Sequence, residues 1–194
     1  MVMKYQPLLD AVSAARQCRS LERCQVICLS PQGKLISQSL LRKASQLDQL
    51  ILIAGRYEGI DERFVQQVCD DEWSLGDYVI SGGELAALIV IDGVTRLIPG
   101  VLGDDESARQ DSHYEGLLDF PHYTRPERGQ FGEVPRVLLG GNHADIKRWR
   151  MKQSLGRTWL RRPELLKQID LNAEQKALLH EFQIEVDKLG CSNE

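Results

Sequence analysis

Short apolar runs alternate with segments of helical spacing along the first hundred residues. Three runs have the length and residue types of buried strands: Gln25–Leu29, Leu50–Ala54 and Tyr78–Ile80. Apolar residues at helical spacing predict helices around them, at residues 5–17, 35–46 and 60–68. Alternation of strands and helices is typical of an α/β domain with a mainly parallel sheet.

The pattern changes in the second half of the chain. The segment from Glu84 to about Leu97 is apolar on nearly every side, which predicts a helix buried against the sheet. Prolines and glycines then replace regular spacing over residues 99–135, as is typical of a functional loop or a linker. Helical spacing returns afterwards and predicts helices at residues 142–155, from residue 163, and at residues 173–189.

Glycines border the second and third apolar runs. Gly55 and Gly59 follow the second run, Gly76 precedes the third, and Gly82 and Gly83 follow it. Glycine at strand ends permits unusual backbone angles and lets a ligand approach the main chain closely. This pattern alone leaves two interpretations open: a small-molecule site at one sheet edge, or ordinary turns.

The composition, with 42% hydrophobic and 27% charged residues in a chain of 194, is that of a soluble globular protein. Its formal net charge of −4 is unevenly distributed. Residues 1–145 carry 14 basic and 21 acidic side chains, whereas residues 146–194 carry 10 and 7. A basic end on an acidic body favours a segment that binds a polyanion.

The five cysteines are odd in number and show no C-x-x-C spacing, which favours reduced thiols over a disulfide framework or a zinc site. The first residues do not resemble a signal peptide. The longest apolar run, Leu85–Ile91, is too short to span a bilayer. We therefore predict a cytoplasmic protein.

Basic residues are concentrated at Lys147–Arg162, where seven cations and no acid occur in 16 residues. Cations bind phosphates, and unpaired bases stack on tryptophan or on guanidinium planes. Trp149 and Trp159 lie among these cations, which favours contact with RNA. A solvated cationic helix, with some cations paired to acids, is the alternative.

Several kinds of chemistry have no sequence motif here. The chain has neither G-x-x-x-x-G-K-[ST] nor G-x-G-x-x-G, so a glycine-rich site would hold a ligand by its base and sugar. Asp111, Ser112 and His113 are adjacent, which gives no nucleophile–base–orienter geometry, and no G-x-S-x-G accompanies them. The four histidines show no metal-ligand spacing, and we predict no metal site.

Six stretches together are similar to the bacterial TrmD-type tRNA (guanine-N1)-methyltransferases. They cover nearly the whole chain in order: Gly55–Arg63, Trp73–Glu84, Ile98–Gly103, Gly116–Pro126, Gly141–Ala144 and Leu155–Leu166. The resemblance implies methyl transfer from S-adenosylmethionine to N1 of guanosine 37, the nucleotide 3′ of the tRNA anticodon. It also implies a homodimer whose active sites are each built from both subunits.

The implied fold is that of the SPOUT class, a parallel α/β sheet with a C-terminal deep trefoil knot, followed by a small helical domain. On this basis residues 1–102 form the knotted cofactor-binding domain, residues 103–113 an interdomain loop, and residues 114–194 a mostly helical tRNA-binding domain. Local periodicity could not show the knot, since knots run against the usual rules of chain topology.

The resemblance assigns site residues at matching positions. The implied cofactor-binding residues are Leu29, Ser30, Pro31, Gly55, Tyr57, Glu58, Gly59, Leu75, Gly76, Asp77, Tyr78, Val79, Ile80, Gly82 and Gly83. The general base falls on Asp111 and an essential arginine on Arg96. The candidate RNA-binding residues of the basic stretch are Lys147, Arg148, Arg150, Lys152 and Arg157.

The chemistry agrees with the two catalytic assignments. Guanine N1 carries a proton at neutral pH and must lose it before attacking a methyl group, so Asp111 would accept that proton. Negative charge then spreads onto O6, where the guanidinium of Arg96 would stabilise it. Without the resemblance, Asp111 is a loop acid and Arg96 a cation that complements a helix end.

The front of the chain departs from the family pattern. The chain starts inside what the family has as a glycine-rich loop, so a preceding segment with the first strand is expected to be missing, leaving a sheet edge open. The alternative function is therefore a catalytically inactive module that binds RNA or cofactor. A nucleotide hydrolase or kinase is disfavoured, because the phosphate-binding motifs are lacking.

Overall fold

The computed structural model describes residues 1–17, 22–103 and 111–190, with side chains described up to residue 188. Two compact units are formed by Met1–Asp105 and Glu106–Glu194. Of the interdomain loop expected at residues 103–113, residues 104–110 lie outside the described residues. Within the described residues, no helix is long and apolar enough to cross a membrane.

The first unit is built on a three-stranded parallel sheet. Its strands are β1 (Cys24–Leu35), β2 (Gln49–Ala54) and β3 (Asp71–Ser74), in the order β2-β1-β3. Its helices are α1 (Tyr5–Gln17), α2 (Gln38–Ala44), α3 (Glu62–Val68) and α4 (Glu84–Thr95). The prediction of a mixed α/β fold with a parallel sheet is confirmed.

Alternation along β1 divides the core of this unit into two layers. Val26 packs with Val12 of α1 and Phe64 of α3, and Ile27 packs in a second cluster with Leu41 of α2 and Val90 of α4. Because successive side chains of a strand point to opposite faces, neighbouring residues of β1 serve both layers. Both Val26 and Ile27 are fully buried, as expected of a central parallel strand.

The third predicted strand is wrong. Tyr78–Ile80 forms a loop, and the strand lies earlier, at Asp71–Ser74. Tyr78 and Val79 are 57% and 86% exposed, whereas Trp73 is buried in the sheet. A three-residue apolar run has the composition of a strand, but here its side chains lie on the surface.

A second difference concerns the predicted end of β1. The strand predicted to end at Leu29 continues to Leu35, and its pairing with β3 shifts register between Leu29 and Lys34. At Gly33 an added Cβ would lie 2.4 Å from the carbonyl carbon of Glu72. Only glycine therefore allows the two main chains to approach this closely.

Helix α4 is less buried in this unit than its composition predicted. Only one stripe faces the sheet, with Ala86 and Val90 buried. Four large apolar side chains of the helix are more than half exposed, namely Leu85, Leu88, Ile89 and Ile91. The helix predicted to be buried against the sheet is therefore buried along one face only in this unit.

The second unit is mainly helical. Its elements are a short hairpin of β4 (Arg128–Gly129) and β5 (Gly132–Glu133), followed by α5 (Arg136–Leu139), α6 (His143–Arg161), α7 (Pro163–Leu166) and α8 (Ala173–Gly190). Helices α6 and α8 pack together, and Leu155 and Leu178 are buried between them. A capping box begins α8, because Asn172 and Gln175 exchange hydrogen bonds of 3.0 and 2.9 Å.

Candidate cofactor pocket and catalytic residues

A pocket of about 430 Å³ opens where the strands of the first unit reach their carboxyl ends. Three segments supply most of its lining: residues 28–32 of β1, residues 55–60 after β2, and residues 72–76 and 78–83, from β3 into the loop that leads to α4. Ligands of open parallel sheets bind outside the carboxyl ends of the strands. The position of the pocket is therefore that of a binding site.

The structure brings together nearly all of the residues proposed from the sequence to bind a cofactor. Fourteen of the fifteen line this pocket: Leu29, Ser30, Pro31, Gly55, Tyr57, Glu58, Gly59, Leu75, Gly76, Tyr78, Val79, Ile80, Gly82 and Gly83. Asp77 does not line it. Their clustering does not by itself test whether they hold a cofactor.

The backbone of these loops adopts conformations that expose main-chain groups. Tyr57 has a φ of 63°, and Gly59 and Gly76 have φ values of 133° and 155°. Glycine tolerates such angles without strain, whereas tyrosine adopts them rarely. A non-glycine residue in this region marks a site where the surroundings hold the backbone in place.

Two of the pocket loops approach each other at Gly83. Its N–H donates to the carbonyl of Gly55 over 2.9 Å. A Cβ at position 83 would lie 2.7 Å from the Cα of Ala54 and 2.8 Å from the nitrogen of Gly55. The loop that enters α4 thus lies directly against the end of β2, and residues of both segments line the pocket.

The charged side chains around the pocket are mainly acidic. Glu58, Glu62 and Glu72 line it together with one arginine, Arg56. Arg56 Nε lies 2.5 Å from Glu84 Oε1, and this hydrogen bond lowers the pKa of Glu84. An acidic lining suits a ligand that carries positive charge.

Two further acids and a thiol at the pocket were not found from the sequence. Glu62 belongs to α3 and Glu72 to β3, so only the fold brings them together. The Cys28 thiol also lines the pocket, and its pKa is raised by the neighbouring Cys69 thiol and by burial. Cys28 therefore stays protonated at neutral pH and is no candidate nucleophile.

The two proposed catalytic residues belong to different units. Arg96 caps the C-terminal end of α4, where its N–H donates to the carbonyl of Asp92 over 3.1 Å, and its side chain is exposed. Asp111 is also exposed and begins the turn at residues 111–119 in the second unit. Neither residue lines the pocket formed by the first unit.

The turn that carries Asp111 is closed by three hydrogen bonds. The Tyr114 N–H donates to the Asp111 carbonyl over 3.2 Å, and the His113 N–H donates to the Leu117 carbonyl over 2.7 Å. The Asp119 N–H donates to Ser112 Oγ over 2.9 Å. Asp111 therefore lies on a locally ordered turn.

Helix α6 anchors the far end of this turn. The Leu118 N–H donates to Thr158 Oγ1 over 2.9 Å, and the Thr158 hydroxyl donates to the Ser154 carbonyl over 2.6 Å. Thr158 is fully buried, so both bonds are shielded from water. The guanidinium of Arg150 lies 4.6 Å from the centre of the Phe120 ring, which adds a cation–π contact.

The predicted RNA-binding cations fall into three groups. Arg148 and Lys152 form ion pairs of 2.6 Å with Glu181 and Glu185 of α8. Arg150 stacks on Phe120, as described above. Lys147 and Arg157 form no ion pair within the described residues. The alternative of cations paired with acids therefore applies to part of this helix.

The described residues contain no group of three or more His, Cys, Asp or Glu side chains arranged to hold a metal ion. The fold and the pocket define the protein as an α/β protein with a pocket at the carboxyl end of a parallel sheet, followed by a helical unit that contains a basic helix. This class alone does not specify a reaction.

Comparison with known proteins specifies the family. Residues 1–168 match the family model described as tRNA (Guanine-1)-methyltransferase TrmD. A tRNA (guanine-N(1)-)-methyltransferase of Edwardsiella ictaluri is 58% identical over 195 residues, which are 98% of this chain and 76% of the relative. An Escherichia coli O139:H28 protein of the same name is 58% identical over 185 residues, 95% of this chain and 72% of the relative. The chain belongs to the TrmD family of tRNA (guanine-1)-methyltransferases.

Proposed function

We propose that this protein transfers a methyl group from S-adenosylmethionine to N1 of guanosine 37 in tRNA. The observation that carries the proposal is the pocket at the carboxyl end of the sheet, formed by the loops that the family resemblance assigned to the cofactor. The relatives give no support to the alternative of an inactive module, since they are named as methyltransferases.

The pocket suits S-adenosylmethionine in shape and charge. Main-chain groups of the glycine-containing loops offer donors and acceptors to the adenine and ribose, for which no phosphate-binding motif is needed. Glu58, Glu62 and Glu72 supply negative charge around a ligand whose sulfonium and amino groups are positive. ATP, which carries several negative charges, suits the same lining poorly.

In the proposed reaction Asp111 acts as the general base and Arg96 stabilises the developing charge. Asp111 removes the N1 proton of guanine, and N1 then attacks the methyl carbon as the bond from that carbon to sulfur breaks. The Arg96 guanidinium stabilises the negative charge on O6. S-adenosylhomocysteine and methylated tRNA leave, and the proton remains on Asp111 until water accepts it.

The direct test uses a tritiated methyl donor and an unmodified tRNA transcript with guanosine at position 37. We expect methyl incorporation into this transcript and none into a matched transcript with adenosine at that position. Absence of incorporation, with the cofactor bound normally in calorimetry, would favour the inactive module. Incorporation into both transcripts would place the modified nucleotide elsewhere.

We also propose that α6 contributes to the tRNA surface in the cytoplasm. Lys147 is exposed and forms no ion pair within the described residues, whereas its neighbour Arg148 is held by Glu181 at 2.6 Å. A cation without a carboxylate partner can bind a phosphate without first breaking an ion pair. A paired cation must first give up its carboxylate partner.

These neighbours provide a matched pair of variants. Lys147→Ala should weaken tRNA binding and reduce the slope of log affinity against log salt by about one. Arg148→Ala should have a smaller effect on both quantities, because the ion pair with Glu181 already neutralises that cation. The measurement is filter binding at several salt concentrations. Equal effects of the two substitutions would contradict the distinction.

The homodimer is proposed because of the exposed face of α4. Leu85, Leu88 and Ile91 of this helix are each more than half exposed. Contiguous exposed apolar side chains of this kind mark association sites in soluble proteins. A second copy of the chain would cover them, and the active site would then draw residues from both subunits.

A charge on this face tests the dimer. Leu88→Glu should produce monomers, because the dimer would bury an unpaired carboxylate. Leu160→Glu, at a similarly exposed leucine of α6, is the control and should leave the dimer intact. Sedimentation equilibrium measures the mass of each. If the Leu88→Glu variant is dimeric, Leu88 and the exposed face of α4 do not belong to the interface.

The finer fold is part of the same proposal. We propose that the loop before α4 completes the trefoil knot typical of the SPOUT class. The close contact of Gly83 with Ala54 and Gly55 supports it, because two chain segments must pass very near each other where a chain is threaded. The second unit would serve as the helical tRNA-binding domain.

A further inference from the structure

The turn at residues 111–119 has an anchored end and an end that carries the proposed base. At the anchored end, Leu118 is bound by the buried hydroxyl of Thr158, and a Cβ at Gly116 would lie 2.9 Å from the side chain of Ile169. At the other end, Asp111 is exposed. The position of the backbone that carries Asp111 thus depends in part on how the two ends are connected.

Ser112 provides a side-chain link between these ends. Its Oγ accepts the Asp119 N–H at 2.9 Å, across seven positions of the sequence. The same aspartate is fixed on its other side, where Asp119 Oδ1 accepts the Phe120 N–H at 2.7 Å and Asp119 Oδ2 lies 2.8 Å from His122 Nε2. Ser112 therefore ties the residue next to Asp111 to a segment that is itself held in place.

We propose that Ser112 is a positioning residue for methyl transfer, which acts by holding the turn that presents Asp111 to guanine N1. This inference rests on the proposed function. The hydroxyl does not contact the reacting atoms; it restrains the backbone on which the base is carried. Misplacement of a catalytic group by about 1 Å can cost up to about a hundredfold in rate, so one hydrogen bond can matter here.

The folding of the unit does not depend on this bond. Ser112 is exposed, and the anchoring through Thr158 and the core around Leu155 remain when it is changed. Ser112→Ala should therefore fold normally and keep its melting temperature. Ser112→Thr retains a hydroxyl acceptor at the same position and serves as the conservative replacement.

The test compares single-turnover rates of methyl transfer at saturating S-adenosylmethionine. We expect Ser112→Ala to lower the rate about tenfold, well within the cost of a misplaced base, with an unchanged KM for the methyl donor. Ser112→Thr should restore most of the rate. Glu115→Gln, at an exposed side chain of the same turn, should leave the rate unchanged.

Amide hydrogen exchange provides a readout that does not need activity. The Asp119 amide should be protected in the wild type and in Ser112→Thr, and should exchange faster in Ser112→Ala. A rate for Ser112→Ala within twofold of the wild type, or no rescue by threonine, would overturn the positioning role. Lack of methyl transfer by the wild type itself would instead overturn the proposed function.

Discussion

Replacing Asp111 by asparagine should reduce methyl transfer to guanosine 37 by about 10²- to 10⁴-fold, the range contributed by a positioned general base. The substitution keeps the shape of the side chain and removes its ability to accept a proton. Guanine N1 then keeps its proton and has no lone pair with which to attack the methyl group. The measurement is the single-turnover rate of methyl transfer.

The pH dependence distinguishes loss of the base from a general loss of structure. As pH rises, guanine N1 ionises in solution without help, so the rate of Asp111→Asn should keep rising with pH and approach that of the wild type. Binding of S-adenosylmethionine, measured by calorimetry, should stay unchanged. Asp170→Asn, at an exposed carboxylate of the same unit, is the control and should retain the wild-type rate. A normal rate for Asp111→Asn at neutral pH would show that another group takes the proton.

A methyl group added at Gly83 should weaken cofactor binding. The new Cβ would lie 2.7 Å from the Cα of Ala54 and 2.8 Å from the nitrogen of Gly55, and both contacts are with backbone atoms. Neither atom can move away as a flexible side chain could, so the two loops must separate. The 2.9 Å hydrogen bond from the Gly83 N–H to the Gly55 carbonyl would be lost as they do.

The expected size of this effect follows from the cost of overpacking. Gly83→Ala should destabilise the first unit by about 1–3 kcal/mol and weaken binding of S-adenosylmethionine by about tenfold for each 1.4 kcal/mol of distortion in the pocket. Denaturant unfolding and calorimetry measure the two quantities. Gly103→Ala is the control, because no atom lies within 4 Å of its added Cβ. Unchanged cofactor affinity in Gly83→Ala would show that cofactor binding does not depend on this contact.

The sequence predicted the parts of the fold that rest on local pattern. Val26 and Ile27 lie in an apolar run and proved to be central in the sheet. Strand β3 was missed because it begins with two acids, Asp71 and Glu72, which resemble a loop. In the fold, Lys34 lies 2.9 Å from Asp71, and the Trp73 indole donates to the same carboxylate. The ion pair with Lys34 stabilises an acidic residue within the strand. Sequence periodicity cannot show a pairing between residues so far apart in the chain.

The candidate site was predictable to a similar extent. Glycines at strand ends indicated the pocket loops, because glycine takes a positive φ with little strain, as at Gly59 and Gly76. The acids of α3 and β3 that face the pocket have no such local motif. The ion pairs of Arg148 and Lys152 join residues 33 positions apart, so the sequence could not show which cations were already neutralised.

Because the turn that carries Asp111 is attached to α6, the length of this helix has a consequence for the proposed reaction. Lys147 and Thr158 belong to the same helix. The helix therefore connects the proposed phosphate contact at Lys147 with Thr158, which anchors the turn that carries the proposed base. Eleven residues of helix span about 16 Å. The helix thus sets the distance between the proposed phosphate contact and the turn that carries the base. Insertion of one alanine between these two residues would increase the distance between them by about 1.5 Å and rotate one relative to the other by about 100° around the helix axis.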